Sequence, residues 1–476
     1  MNNPDAIQHQ VCRPGGPHIL AQWLSSHGIT VKVIDFCSVI STNDLVDITR
    51  KHIKADTVAI GVSTTFWDHD SFLKYGEVTT SKKLATLFTL GQVSSPDWVI
   101  NARTLIESAF PNLDWILGGA NSEIHLREHW IKFHNHPEDQ VLRYLDAKLT
   151  IKKTRIPFDI HTSTNTYMDG LGLRANEALT LEWGRGCQFK CSFCRYKLNG
   201  KKKGTYLRDV ELVRHDLIQN YERYGITRYA YVDDTINESV EKVEAMARVA
   251  QSLPFELEWV GYGRLDLIGT NKHTIKTLVD SGLRGMFFGV ESFNKEASKI
   301  IGKGWNGVHG KDFLLELKDT WKDQVNITPG FIIGLEPETP DEVDQTSKWL
   351  ISNEFSSWSV TPLHISATAN LLTNASEFDK SCTKYGYRFP AAGSPNYWIS
   401  NNWTSATAQV KAHEIVKASF NLAANRPAVF GAAGISSITG ESIKITMSKK
   451  PDFAVIRSGA MRIFDEYVTY QLNLPD

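Results

Sequence analysis

Three of the six cysteines of this 476-residue chain fall within eight positions, Cys187, Cys191 and Cys194, in the segment Gly-Arg-Gly-Cys-Gln-Phe-Lys-Cys-Ser-Phe-Cys. Three thiolates spaced Cys-x3-Cys-x2-Cys on one short loop can cap three corners of a small iron–sulfur cluster. A cluster with four irons would then keep one iron open to a ligand that is not protein. Gly184 and Gly186 suit a loop that turns sharply and runs close to such a cluster. Structural zinc is the competing reading, but it usually takes four protein ligands. No second cysteine pair follows at finger spacing, and Cys12, Cys37 and Cys382 stand alone, which reads as small buried apolar residues.

The elements that must carry this loop can be read from periodicity. Six apolar runs read as strands: Leu179–Trp183, Thr227–Val232, Glu256–Gly261, Arg284–Val290, Asn326–Ile333 and Trp358–His364. Helices are expected between them, from Asp209 to Gly225 and near Glu238–Leu253, Asn271–Ser281, Lys311–Lys322 and Asp341–Ser352. Six such β/α units with right-handed crossovers curl into a partial barrel, and the cysteine loop leaves its first strand. The first 150 residues also alternate: a helix ended by Gly28, strands at Ile29–Asp35, Thr57–Ser63 and Trp115–Leu117, and helices at Asn43–Lys54 and Val99–Ala109. That alternation implies a parallel, Rossmann-like sheet whose ligand edge lies at the carboxyl ends of its strands. The expected organisation is a front domain over 1–150, with an irregular insertion at Phe66–Trp98, then a linker over 151–178, a barrel over 179–390, and a small α+β region over 391–476. That last region reads as an Ala-rich helix near Ala406–Ala424 followed by Gly-punctuated short strands.

Composition narrows the class. Hydrophobic residues make up 42% and charged residues 22%, and net charge is −1; this is an ordinary globular balance, not that of a nucleic-acid coat. No run of about 18 apolar residues marks a membrane span. The polar start, Met1–Gln10, lacks an apolar signal core, so a cytoplasmic protein is expected, with no membrane partner and nucleic acid an unexpected one. His134 and His136 flank one Asn in a polar loop, and Lys201–Lys203 form a short basic run; both read as solvated surface.

The cysteine loop after the first strand of a β/α series resembles the radical S-adenosylmethionine (SAM) superfamily. That resemblance implies a 4Fe-4S cluster on Cys187, Cys191 and Cys194, with SAM chelating the open iron and undergoing reductive cleavage to a 5′-deoxyadenosyl radical. It implies further SAM contacts, residue by residue. Phe193 precedes the third cysteine, where the backbone meets adenine. Asp233 and Asp234 end the second strand and suit the methionine ammonium. Arg264 follows the third strand and suits the carboxylate. Glu291 closes the fourth and suits the ribose. Ile332 and Gly334 lie in Gly330-Phe-Ile-Ile-Gly-Leu-Glu-Pro-Glu, similar to the family's fifth-strand Gly-x-Ile-x-Gly motif, with Glu336 and Glu338 flanking Pro337. Strand-end acids in such folds also simply cap the next helix.

The segment from Arg13 to Asp35, with Val58–Ser63 and Ile116–Gly119, resembles the cobalamin-binding domain that precedes many of these enzymes. It lacks the Asp-x-His-x-x-Gly motif that supplies an axial His elsewhere. The cobalamin contacts implied are Thr64, Thr65, Gly118 and Gly119. Together these resemblances imply a cobalamin-dependent methyltransferase acting on an unactivated carbon of a small molecule or peptide, with flavodoxin or ferredoxin as reductant. A cobalamin-free radical enzyme and a non-catalytic metal protein are the alternatives.

Overall fold

The computed structural model describes residues 11–37, 39–52, 59–63, 114–118, 123–126, 129–132, 158–194, 206–303, 307–365, 376–391, 394–420 and 426–475. They divide into two compact units. One comprises residues 13–173 together with 460–476; the other comprises 1–12 and 174–459.

In the first unit, helix α1 (Gly15–Ser26) buries His18, Ile19, Ala21 and Leu24, and the chain turns away at Gly28, whose φ is +78°. Helix α2 (Thr42–His52) follows. Strands β1 (Ala59–Ser63) and β2 (Asp114–Gly118) pair in parallel, as the alternation implies. Strands β3 (Glu123–Leu126) and β4 (His129–Lys132) form a separate antiparallel pair. The expected strand at Ile29–Asp35 is not one. Its end is drawn into side-chain bonding instead, the Asp35 N–H donating to the Tyr467 hydroxyl at 2.8 Å. Phe158 and Ile160, within the stretch read as a linker, pack against Ile19 in this unit's core. The expected helix at Val99–Ala109, the insertion, His134, His136 and Lys201–Lys203 lie outside the described residues.

The second unit is a curled half-barrel of six parallel strands: β5 (Ala178–Leu181), β6 (Arg228–Tyr231), β7 (Glu258–Gly263), β8 (Leu283–Glu291), β9 (Asn326–Ile333) and β10 (Ser359–Pro362), each bonded only to its sequence neighbours. The crossovers are the expected helices. In α3 (Val210–Tyr224), Asp209 caps the N-terminus by accepting from Glu211 and Leu212, and Gly225 ends it in the left-handed region. Then come α4 (Val240–Ser252), α5 (Leu265–Thr270), α6 (Thr274–Asp280), α7 (Lys295–Ile300), α8 (Gly307–Trp321) and α9 (Pro340–Ser352). Helix α9 starts on a Thr339–Glu342 capping box with proline in its first turn.

The C-terminal part differs from its reading. After α10 (Glu377–Lys380) and α11 (Ser405–Phe420), the run taken for short strands is helical: α12 (Val429–Thr439), α13 (Ile443–Ser448) and α14 (Phe453–Asn473). Helix α12 misleads because it is buried on every side and so has no polar stripe. Val429, Ala432 and Ala433 lie against Ala178, Ala230 and Val260, which the strand register puts on one face of the sheet. Their small side chains let the helix approach that face closely. The Ala178 N–H donates to Ser437 Oγ, and Glu258 accepts from the Ile443 N–H. Helix and loop residues thus close the amino end of the half-barrel and leave its carboxyl edge for the site. Among the described residues, no helix is long and apolar enough to cross a membrane.

Candidate functional site

Every expected contact in this unit lies at the carboxyl ends of the strands, the edge where β/α barrels carry their chemistry. Beyond β5, Gly184 is pressed between neighbours: a Cβ there would sit 2.9 Å from Leu207 Cδ2 and 3.0 Å from the Tyr206 carbonyl oxygen. Gly186 has φ +83°, so both glycines are required where the loop begins. Ser192, between the second and third cysteines, fixes the loop. Its N–H donates to the Ile301 carbonyl at 3.1 Å, its hydroxyl donates to that of Ile300 at 2.9 Å, and its carbonyl accepts from Phe378 at 3.2 Å. Gln188 donates to the Glu238 carbonyl at 2.7 Å.

All six cysteines are free thiols, Cys191 buried and Cys187 and Cys194 half-buried. Burial pushes the Cys187 thiol up, while its contact with Thr235 Oγ1, 3.4 Å away, acts the other way. Among the described residues, no three His, Cys, Asp or Glu side chains converge where one metal ion could sit. Three thiols on one anchored loop, beside a guanidinium able to offset thiolate charge, fit the corners of a multi-iron cluster. Cys12 and Cys382 match their bland reading: Cys12 packs against the core cluster, where burial pushes its thiol up to about 12, and Cys382 is buried.

The two acids ending β6 part company. Asp233 is buried; it accepts the Trp183 N–H at 2.8 Å and the Lys242 ammonium at 2.7 Å. Lys242 also donates to Glu238 at 2.7 Å. Two carboxylates therefore share one ammonium in a dry site, and burial pushes both carboxyls up despite Lys242. Asp233 is thus engaged in holding β5 to β6. Asp234 is half-buried, and its carbonyl accepts from the Thr235 hydroxyl at 2.8 Å. Lys242 and Glu238 were missed in the sequence; the one available signal was their spacing of four across the start of α4, Glu238 just before its N-cap Ser239 and Lys242 in its first turn.

Arg264 is buried and committed within the protein. It grips Asp266 with two hydrogen bonds, at 3.0 and 2.7 Å, and points Nη1 at Cys191 Sγ, 3.4 Å away. Its guanidinium lies over the Phe189 ring at 4.1 Å. Asn237 accepts its N–H and donates to its carbonyl.

Glu291 has φ +70°, a conformation costly for a residue with a Cβ, at a bulge where β8 leaves register with β9. Its carboxylate pairs with Lys303 at 3.1 Å. Phe193 is half-buried on the cysteine loop. Ile332 is half-buried near the end of β9, in register with Thr361 of β10. Gly334, at φ +106°, has a packing reason of its own: a Cβ would lie 2.7 Å from the Trp398 ring. Glu336 accepts from the Asn402 backbone and side chain, at 2.7 and 2.9 Å. Glu338 is buried, accepts from Ser292 Oγ at 2.6 Å, and is pushed up to about 8, mainly by burial. Of the front-unit candidates, Gly118 ends β2, opposite Ser63. Thr64, Thr65 and Gly119 lie outside the described residues.

Residues 181–350 match the family model of the radical SAM superfamily. A stretch of 167 residues is 28% identical to an uncharacterised methyltransferase of Pyrococcus horikoshii, covering 35% of this chain and 35% of that protein. The match therefore spans about a third of the relative's length. Among solved structures, the radical SAM methyltransferase TsrM of Kitasatospora setae, with cobalamin and a [4Fe-4S] cluster bound, superposes with a TM-score of 0.54 at 13% identity. That superposition covers 96% of this chain and 97% of the other. The same enzyme with tryptophan and a SAM analogue gives a TM-score of 0.50 at 13% identity, over 80% and 77%. At that identity the likeness is one of fold.

Proposed function

We infer that this chain, whose residues 181–350 match the radical SAM superfamily model, holds a 4Fe-4S cluster on Cys187, Cys191 and Cys194 and cleaves SAM reductively. We further propose that it is a cobalamin-dependent methyltransferase. The observation that carries the first reading is the three-thiol loop, clamped at Ser192 on the carboxyl edge of a parallel half-barrel. The fold likeness to a cobalamin-binding methyltransferase over nearly the whole chain, and the methyltransferase relative, support the second. When bound, the cluster supplies one electron to the SAM sulfonium, and cobalamin supplies methyl-group transfer; the protein's share is placement.

For that placement the side chains have distinct parts. Asp234, half-buried just beyond β6, is the carboxylate proposed for an ammonium, and Asp233 beside it is paired with Lys242. Glu291, on its strained turn, presents a carboxylate for ribose hydroxyls. Phe193 and Ile332 supply apolar surface for a flat base. Gly118, Gly119, Thr64 and Thr65 are proposed for cobalamin, where small residues let backbone approach a large planar ring. A flavodoxin or ferredoxin suits the electron supply, and a small molecule or peptide is the substrate class.

The test is anaerobic reconstitution with iron, sulfide and hydroxocobalamin, followed by dithionite and SAM. Both 5′-deoxyadenosine and S-adenosylhomocysteine are expected. 5′-Deoxyadenosine alone would leave radical chemistry and remove the methyltransferase reading. Tightly bound zinc with no cleavage would remove both. Replacing any one of the three cysteines by Ala is expected to cut bound iron sharply and abolish 5′-deoxyadenosine formation.

A further inference from the structure

Arg264 invites a role that its position after the third strand does not suggest. A guanidinium reserved for a ligand carboxylate should keep its fork free, because planar two-point recognition is what arginine offers. Here the fork is taken by Asp266, through Nε at 3.0 Å and Nη2 at 2.7 Å. The remaining Nη1 points at Cys191 Sγ. Phe189 lies against the guanidinium, and the Asn237 amide bonds both the N–H and the carbonyl of Arg264. Backbone, fork and flat face are therefore all fixed, with one N–H donor aimed at one cysteine sulfur.

We propose that Arg264 and Asp266 form a charge pair that tunes the reduction potential of the cluster through Cys191; this rests on the cluster assignment above. Reduction adds negative charge to the cluster. A cation and an N–H donor at a ligating sulfur stabilise the reduced form and raise the potential, and hydrogen bonds to sulfur are an established lever on such potentials. Burial strengthens the effect, since solvent screening is weak there. Asp266, half-buried, pulls in the opposite direction and sets how much of the arginine charge the sulfur feels. Arg264 is thus a tuning residue rather than a contact for the SAM carboxylate.

The two members of the pair give opposite signs. In a mediator titration of the reconstituted cluster, followed by electron paramagnetic resonance without SAM, Arg264→Gln should lower the potential. At a fixed applied potential the reduced-to-oxidised ratio should fall about tenfold, or about 59 mV for a one-electron couple. Asp266→Asn should raise it. An Arg264→Gln protein with wild-type iron content and an unchanged potential, or an Asp266→Asn protein shifted downward, overturns the proposal. So does an Arg264→Gln protein that loses SAM affinity at constant potential, which returns Arg264 to the carboxylate. If Arg264→Gln does not hold iron, the Asp266→Asn shift decides. A wild-type chain that takes up no iron defeats the cluster assignment itself, which is a separate result.

Discussion

Lys242 shows how much of a site is built from residues that touch no ligand. Its ammonium joins Asp233, at the end of β6, to Glu238, near the start of α4. Asp233 in turn holds the Trp183 N–H just upstream of the cysteine loop, and the Glu238 carbonyl holds Gln188 within it. Removing one partner from a buried ionic cluster leaves the others uncompensated. Lys242→Met should therefore cost about 3–5 kcal/mol in denaturant unfolding, with less iron retained per chain. Glu338 offers a pH signature. Its carboxyl is raised to about 8 in the folded protein, against an ordinary value of about 4.3. The folded state thus binds this proton more tightly, so the stabilisation is full below about pH 4 and is lost as pH rises through 8. Glu338→Gln keeps an acceptor for Ser292 without the ionisation. Its melting temperature should gain on wild type as pH goes from 5 to 8.5, and a constant gap would contradict the assignment.

At the scale of elements, the strands and crossover helices of the half-barrel could be read from the sequence to within a few residues because the strands are short continuous apolar runs, buried on both faces, and Asp209 and Gly225 announce the ends of the first crossover helix. The cysteine loop was legible for the same local reason, since its chemistry is contained in eight consecutive positions. What depends on distant packing was not. Helix α12 has no polar face to betray it. Gly334 reads as a ligand-side glycine, yet Trp398 from the C-terminal region fills the place of its Cβ. Arg264 reads as a free cation, yet Asp266 occupies it. Tyr387 belongs to this class. Its hydroxyl donates to the Gly334 carbonyl and accepts the Glu336 N–H, both at 2.9 Å, so it locks the turn after β9. Tyr387→Phe removes one partner from each of two buried backbone groups. It should cost about 1–3 kcal/mol, with little change in iron content because the cysteine loop is anchored elsewhere.

At the scale of the whole molecule, four buried carboxyls among the described residues are held in two opposed ways. In the half-barrel the buried carboxyls of Asp233, Glu238 and Glu338 are raised by burial, so acid does not discharge them at a loss. The first unit does the reverse around Asp35. Burial by itself would raise this carboxyl, but Arg13 at 2.7 Å and His18 at 3.0 Å more than offset it and hold it well below the usual range. The Asp35 N–H is satisfied by Tyr467, a residue from the far end of the chain. A depressed carboxyl contributes stability that is present above its unfolded pKa of about 3.9 and lost as pH falls below it. Acid should therefore loosen the first unit before the half-barrel. Hydrogen exchange, corrected for intrinsic rates, should show peptides from α1 and the C-terminal part of α14 losing protection between about pH 4 and 3, while those from β6 to β9 keep it. Tyr467→Phe strands the Asp35 N–H at a cost of about 1–3 kcal/mol and should move that loss to higher pH. Simultaneous loss in both units, or a half-barrel that opens first, would show that Asp35 is not the weak point under acid.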